Sequence, residues 1–251
     1  MYKILIVEDD SALRFIYSKK KVWSDCGFCI EDQAYNGKDA LALIEKKRYD
    51  LILTDIQMSF IDGIELLREM RTRNIQSEVV LVSSYDEFEY ARQGLVLGAT
   101  DYILKPAEDN KLREMLLRVK EKLDSKQEIA KEVKAAAKSL DITVPEEGMP
   151  HNICRYFSDN SDRIITLEEM SESFGFSKDY FGKLFKSNMG VSFNSFYSAV
   201  KIEKAKSLLK TGNYKNYEIS DMLGYSTVDY FSKIFKEMTG VTPTQFKTHN
   251  E

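Results

Sequence analysis

Three short apolar runs in the first half of the chain each stop at a charged residue. Ile4 to Val7 is followed by Glu8, Asp9 and Asp10, Leu51 to Thr54 by Asp55, and Tyr102 to Leu104 by Lys105-Pro106. Five strand-like segments can be drawn: Lys3–Val7, Phe28–Gln33, Leu51–Thr54, Glu78–Val82 and Thr100–Leu104. Amphipathic stretches lie between them, such as Ala40, Leu41, Leu43, Ile44 and Ile64, Leu66, Leu67, Met70. Strand alternating with helix predicts an α/β doubly wound, five-stranded parallel sheet. Ligands bind outside the carboxyl ends of such strands. The charged residues that close the three runs are therefore expected to share one pocket.

That pocket has the parts needed to accept a phosphoryl group. Asp55 is a weak nucleophile unless the acids around it are screened and the charge developing on the incoming oxygens is neutralised. Glu8, Asp9 and Asp55, with the backbone carbonyl of Gln57, make an oxygen set suited to Mg²⁺. Lys105 supplies the cation. Ser83, just past the fourth run, can give its hydroxyl to a phosphoryl oxygen. A metal phosphatase of related topology would need a second acid two residues after the nucleophile. Gln57 stands there instead, so an enzyme with turnover is not expected.

The length, 251 residues, fits two domains better than one. Net charge is -4, so the total does not advertise a nucleic-acid partner, although lysines gather on particular helices of the second half. The absence of an apolar run long enough for a membrane span, and of a signal peptide, leads to the expectation of a cytoplasmic protein. Cys26 and Cys29 have the C-x-x-C spacing, but Cys29 falls in a strand and only Cys154 remains as a further ligand. The cysteines are read as packing residues.

From Leu112 the apolar residues recur in steps of four and three: Leu116, Val119, Leu123, then Ala130, Val133, Ala137 and Leu140, with Lys126 as the one break. This heptad seam predicts a parallel coiled coil joining two copies. A single amphipathic helix lying on its own domain gives the same pattern. Pro145, Gly148 and Pro150 then mark a linker. The expected organisation is a first domain over 1–122, a helical linker over 123–149 and a second, all-α domain over 150–251.

The second domain repeats itself. Ser171, Gly175, Ser177, Asp179, Tyr180, Phe181, Lys183, Phe185 and Lys186 match Ser220, Gly224, Ser226, Asp229, Tyr230, Phe231, Lys233, Phe235 and Lys236, with one residue inserted after Ser226. Gly190 and Phe196 match Gly240 and Phe246. Each copy reads as a helix, a glycine-containing turn and a second helix capped by serine, that is, a helix-turn-helix. A long helix over about 192–209 joins the copies.

Residues 1–122 resemble the receiver domain of bacterial response regulators, with its flavodoxin- or CheY-like fold. The match rests on Val7-Glu8-Asp9-Asp10, Asp55, Asp62-Gly63, Ser83, Tyr102 and Lys105-Pro106. The resemblance implies that Asp55 is phosphorylated from a sensor histidine kinase, with Mg²⁺. It implies that Ser83 and Tyr102 are a switch pair reporting to the face formed by the fourth helix, fifth strand and fifth helix. It also implies a cis Lys105-Pro106 bond. Ser59 departs from the pattern, which usually has proline after Met58.

Residues 150–248 resemble the AraC-type DNA-binding domain, and the combination resembles the YesN-type response regulators, as does Trp23 to Phe28. This implies that both recognition helices enter the major groove of double-stranded DNA. Tyr180, Phe181, Leu184 and Phe185, with Tyr230, Phe231, Ile234 and Phe235, fall at core spacing. The exposed positions are then Lys178, Asp179, Gly182 and Lys183 in one helix, and Thr227, Val228, Asp229, Ser232 and Lys233 in the other, types that can read base edges. Lys186, Lys201, Lys204 and Lys236 are candidates for phosphate contacts. Gly182 stands where a polar reading residue is usual, and lysine replaces the arginine fork. Modest affinity and a homodimer on paired sites are expected. The rival readings are a constitutive DNA-binding protein with an idle receiver and an effector-binding regulator. The second would need a β-rich ligand domain.

Overall fold

Five strands, β1 (Tyr2–Val7), β2 (Phe28–Ala34), β3 (Leu51–Asp55), β4 (Glu78–Ser83) and β5 (Asp101–Leu104), pair in the order β2-β1-β3-β4-β5. All four pairings are parallel. The computed structural model describes residues 1–73, 75–84, 88–160 and 163–248. Each strand lies within one residue of the span expected from the sequence. The helices α1 (Ser11–Lys19), α2 (Val22–Asp25), α3 (Gly37–Ile44), α4 (Gly63–Thr72) and α5 (Phe88–Val96) fall between the strands. The single turn α2 has no counterpart in the sequence reading.

The alternation of strand side chains sorts them into two cores. Leu5, Val7, Ile52, Val79 and Leu81 face Leu41, Ile64, Leu66, Leu67 and Met70. Ile4, Ile6, Leu51, Leu53, Val80, Val82 and Ile103 face Trp23, Phe28, Leu112, Leu116 and Val119. β3 and β4 are buried along their whole length, which requires near-continuous apolar runs. The strand order reverses between β1 and β3, so their carboxyl ends open a crevice.

The long helix α6 runs Asp109–Ser139, and it corrects the coiled-coil expectation. Leu112, Leu116, Val119 and Leu123 are buried against the sheet of their own chain. Tyr2 donates its hydroxyl to Asp124 at 2.6 Å and Lys122 pairs with the buried Glu78 at 2.8 Å. Val133, Ala136 and Ala137 are buried instead with Ile153 and Phe157. The seam is therefore consumed within the chain, and its buried side chains offer no surface to a second copy. Lys126, the break in the stripe, sits where the helix passes from one core to the other.

The chain divides into compact units Met1–Asp124 and Ser125–Glu251. The expected linker is largely part of the second unit, because Ile129, Leu140, Ile142 and Val144 pack on its core. Gly148 and Pro150 open the next helix, α7 (Met149–Asp159), with proline in the first turn, where its missing N–H costs nothing. α8 (Leu167–Ser173) and α9 (Lys178–Met189) form the first helix-turn-helix, and α11 (Asn216–Met222) and α12 (Val228–Thr239) the second. α10 (Phe193–Lys210) joins them, and α13 (Pro243–Thr248) follows.

Both turns carry glycine in the left-handed region, Gly175 at φ 74° and Gly224 at φ 65°, where a β-carbon is strained. Phe181 and Phe185 fill one head's core, and Phe231 and Phe235 the other's. α10 gives Phe193, Phe196 and Ala199 to the first core and Ile202, Ala205 and Leu209 to the second. Among the described residues no helix is long and apolar enough to cross a membrane. The cysteines are free, with Cys26 and Cys154 buried.

Candidate functional site

Glu8 directly follows β1, and Asp55 ends the neighbouring strand β3. Lys105 follows β5, two strands further along the sheet. Its side chain reaches back so that Nζ lies 2.8 Å from Glu8 Oε2 and 2.9 Å from Asp55 Oδ2. Asp55 Oδ1 accepts from the Ile56 N–H at 2.8 Å. Glu8 and Asp55 are buried and Asp9 is exposed. Burial lifts Glu8 above the usual carboxylate range, against the pull of the Lys105 hydrogen bond. Burial alone would lower Lys105, but its hydrogen bonds to Glu8 and Asp55 hold it above the usual lysine range. The carboxylate oxygens of Glu8, Asp9 and Asp55 all lie within 4.8 Å of one another. Three carboxylates against one ammonium leave a negative space lined by hard oxygens, which fits a divalent cation.

Local chemistry explains the rest of the motif. Asp10 is occupied as the N-cap of α1, accepting from Ala12 N at 2.7 Å and Leu13 N at 3.1 Å. Asp62 caps α4 through Glu65 N at 2.7 Å. A β-carbon on Gly63 would lie 2.2 Å from the Asp55 carbonyl oxygen, so only glycine allows the chain to turn this close to the acceptor. In the Ser59 loop, Ser59 O accepts from Ile61 N at 3.0 Å around Phe60 at φ 70°. Gln57 is exposed beside the pocket. Ser83 is buried at the end of β4, and Tyr102 is partly buried on β5. Lys105-Pro106 is cis.

In the second unit, Lys178, Asp179, Lys183, Lys186, Thr227, Asp229, Lys233 and Lys236 are exposed, while Gly182, Val228 and Ser232 are partly covered. Asp179 and Asp229 stand in the first turns of α9 and α12, where the helix dipole favours an acid. The cap differs from the expected serine in the second head. Thr227 caps α12 by accepting from Tyr230 N at 3.1 Å, because the inserted residue moves Ser226 out of the position. Ser177 occupies the cap position of α9 without a side-chain bond.

Residues 4–117 match the family model of the response regulator receiver domain, and residues 170–249 that of a helix-turn-helix domain. The chain is a two-component response regulator. Its DNA-binding half is of the AraC type. The regulator is 27% identical over 252 residues to the transcriptional regulatory protein HptR of Staphylococcus aureus, covering 98% of each chain. It is 26% identical to the uncharacterized response regulatory protein SERP2406 of Staphylococcus epidermidis, over 100% of each. It is also similar to the receiver domain of AraT, a response regulator from Geobacillus stearothermophilus, at 32% identity and a TM-score of 0.47, over 50% of this chain and 98% of that one.

Two sequence expectations about the regulator's heads change. Tyr180 and Tyr230 are not core residues: they are 54% and 51% exposed, each beside a fully buried phenylalanine. Their rings lean on Phe176 and Tyr225 at 5.3 and 6.2 Å. Spacing alone does not separate them, since Tyr180 and Leu184 form an i, i+4 pair just as Phe181 and Phe185 do. Lys201 is half-buried instead of projecting to solvent, with Nζ 4.6 Å from the Tyr197 ring centroid and 5.1 Å from that of Tyr225. Lys204 is also partly buried. Gly182 is not sterically required, because a β-carbon there would meet only Leu167 Cδ2 at 3.5 Å. Gly182→Ala is expected to raise stability by about 0.5–1 kcal/mol, from helix propensity. A chemical-denaturation midpoint for the full chain checks this.

Proposed function

We propose that Asp55 is the phosphoryl acceptor of this phosphorylation-controlled transcription regulator, and that the two heads deliver its output to promoter DNA. The observation that carries the reading is the buried Lys105 ammonium, which bridges Asp55 and Glu8 at the carboxyl edge of the sheet. A carboxylate oxygen of Asp55 attacks the phosphorus of a histidine kinase's phosphohistidine. The P–N bond breaks, its electron pair returns to the imidazole nitrogen, and an acyl phosphate remains on Asp55. Lys105 neutralises charge gathering on the equatorial oxygens. Glu8, Asp9, Asp55 and the Gln57 carbonyl would hold Mg²⁺, which when bound supplies screening of the acids and of the phosphoryl oxygens.

Ser83 and Tyr102 serve as the switch pair. Ser83 ends the strand beside β3, one position beyond the residue paired with Asp55. Drawing the Ser83 hydroxyl toward the phosphoryl group lets Tyr102 pack inward and changes the face of α5, β5 and α6. That face pairs two copies, and exposed Leu95 and Val96 on α5 support it. Phosphorylation shifts this equilibrium only by its differential stabilisation of the paired state. The protein acts in the cytoplasm, where kinase and DNA meet, and is not a metabolic enzyme. The intact acid and lysine set favours this reading over an idle receiver.

Light scattering of the full chain with Mg²⁺, with and without beryllofluoride, tests assembly. A monomer that becomes a dimer is expected, and Asp55→Ala should stay monomeric. A dimer under both conditions would refute pairing as the switched event.

On DNA, Lys178, Asp179, Gly182, Lys183, Val228, Asp229, Ser232 and Lys233 present the base-reading surface, with Tyr180 and Tyr230 added by their exposure. Thr227 keeps a hydroxyl proton to donate. Lys186 and Lys236 contact phosphates. Lys233→Ala is expected to weaken binding to a specific site by about 1–3 kcal/mol while sparing non-specific DNA. Lys236→Ala should weaken both alike and reduce the salt dependence. Mobility-shift titrations at several salt concentrations separate the two.

A further inference from the structure

Between the cores of the two reading heads lies a cavity of about 200 Å³. Its apolar wall comes from both sides: Phe157 and Ile165 from the first head, Met222 and Leu223 from the second, with Val200 of α10 between them. At about 30 Å³ per water, it has room for several waters or one small organic molecule. Lys201 projects from α10 into this space.

Lys201 is the unusual group. It is half-buried, and burial holds it below the usual lysine range. Among the described residues its ammonium has no hydrogen bond and no carboxylate within ion-pair distance, only the faces of Tyr197 and Tyr225. An ammonium has three donors, and two ring faces do not satisfy them. The Tyr225 hydroxyl is also buried without a hydrogen-bond partner among the described residues. Lys201 thus brings a cation, with no carboxylate partner among the described residues, to a cavity that has an apolar wall. Arg163 and Glu132 also line it. Arg163 is engaged by Asn160 at 2.9 Å and Glu169 at 3.6 Å. Burial lifts Glu132 above the usual carboxylate range, and Lys204, which also lines the cavity, pulls it back and offsets its charge.

We infer that this cavity binds a small monocarboxylate with an apolar body, its carboxylate on Lys201 and its hydrocarbon against Phe157, Val200, Met222 and Leu223. An occupant touches both heads at once, so it biases the orientation of α9 relative to α12 and with it the spacing of the two grooves they can read.

The probe is hexanoate, with hexan-1-ol and hexylamine as controls of equal body, titrated calorimetrically into the full chain. Hexanoate should bind and raise the melting temperature, and the two controls should bind far more weakly. Lys201→Met keeps the stem and removes the charge. It should weaken hexanoate about ten- to a hundredfold, the worth of a charge-assisted hydrogen bond. Ile164→Glu, at an exposed rim position, should weaken it by repulsion without touching the core. Should Lys201→Met lose its fold, Ile164→Glu carries the test. No binding at millimolar hexanoate, or equal binding by the variants, overturns the site. If Lys201→Met lowers only the salt dependence of DNA binding, the ammonium is a phosphate contact and the cavity has no ligand role.

Discussion

Asp55→Asn is expected to abolish phosphoryl transfer to the chain, with incorporation from acetyl phosphate or a phosphorylated kinase falling by at least about three orders of magnitude. The amide keeps the shape of the side chain and can still accept from Ile56 N, so the fold is retained. What disappears is the carboxylate nucleophile. The other acids nearby are not equivalent: Glu8 is buried behind the Lys105 ion pair and Asp10 is tied to the start of α1. Any label remaining on the variant should be alkali-stable, since an acyl phosphate on a carboxylate is not. Alkali-labile label at the wild-type rate would place the acceptor elsewhere and remove the basis of the proposed mechanism.

Lys105→Met should give the largest stability change in the receiver. Glu8 and Asp55 are buried, and Lys105 is their shared cation. Removing one member of a buried ion set while leaving the opposite charges costs about 3–5 kcal/mol. Without the ammonium nothing offsets the burial that already lifts Glu8 above its unfolded-state range. A raised carboxylate contributes its stability in the protonated form, and that contribution is lost as pH rises. The deficit of the variant should therefore be large near neutrality and shrink as pH falls. Added Mg²⁺ should restore part of it by binding the folded state. Urea denaturation at several pH values, with and without Mg²⁺, reads all three effects. A deficit independent of both pH and Mg²⁺ would mean that Lys105 acts by packing alone.

The two halves of the molecule were legible to different degrees. In the receiver, short apolar runs ending on Glu8, Asp55, Ser83 and Lys105 place those residues at one edge of the sheet. A buried parallel strand has few alternative placements. The helices of the second unit were legible from the repeat, but the exposure of their side chains was not. Tyr180 and Phe181 are neighbours of similar size and hydrophobicity, and only the rotation of α9 on its core buries one and exposes the other. The same holds for Tyr230 and Phe231.

The Leu112–Leu140 stripe shows the limit more sharply. A heptad period says that one face of a helix is covered, not by what. Lys126 marks the change of partner, yet as a sequence feature it reads as a blemish in a coiled coil. Lys201 is a similar case. In sequence it is one lysine on a basic helix, and only packing places its ammonium over two rings at the edge of a cavity.

By itself, then, the sequence determined the strand order class, the contents of the acid pocket and the doubled helix-turn-helix. These follow from local periodicity and from the fixed placement of charged residues at strand ends. Tertiary structure alone decided that α6 spends its apolar face within its own chain, that Asp10 caps while Glu8 meets Lys105, and that Lys201 is drawn inward. Each of these depends on which surfaces meet in space, and a one-dimensional pattern of hydrophobicity and charge does not contain that information.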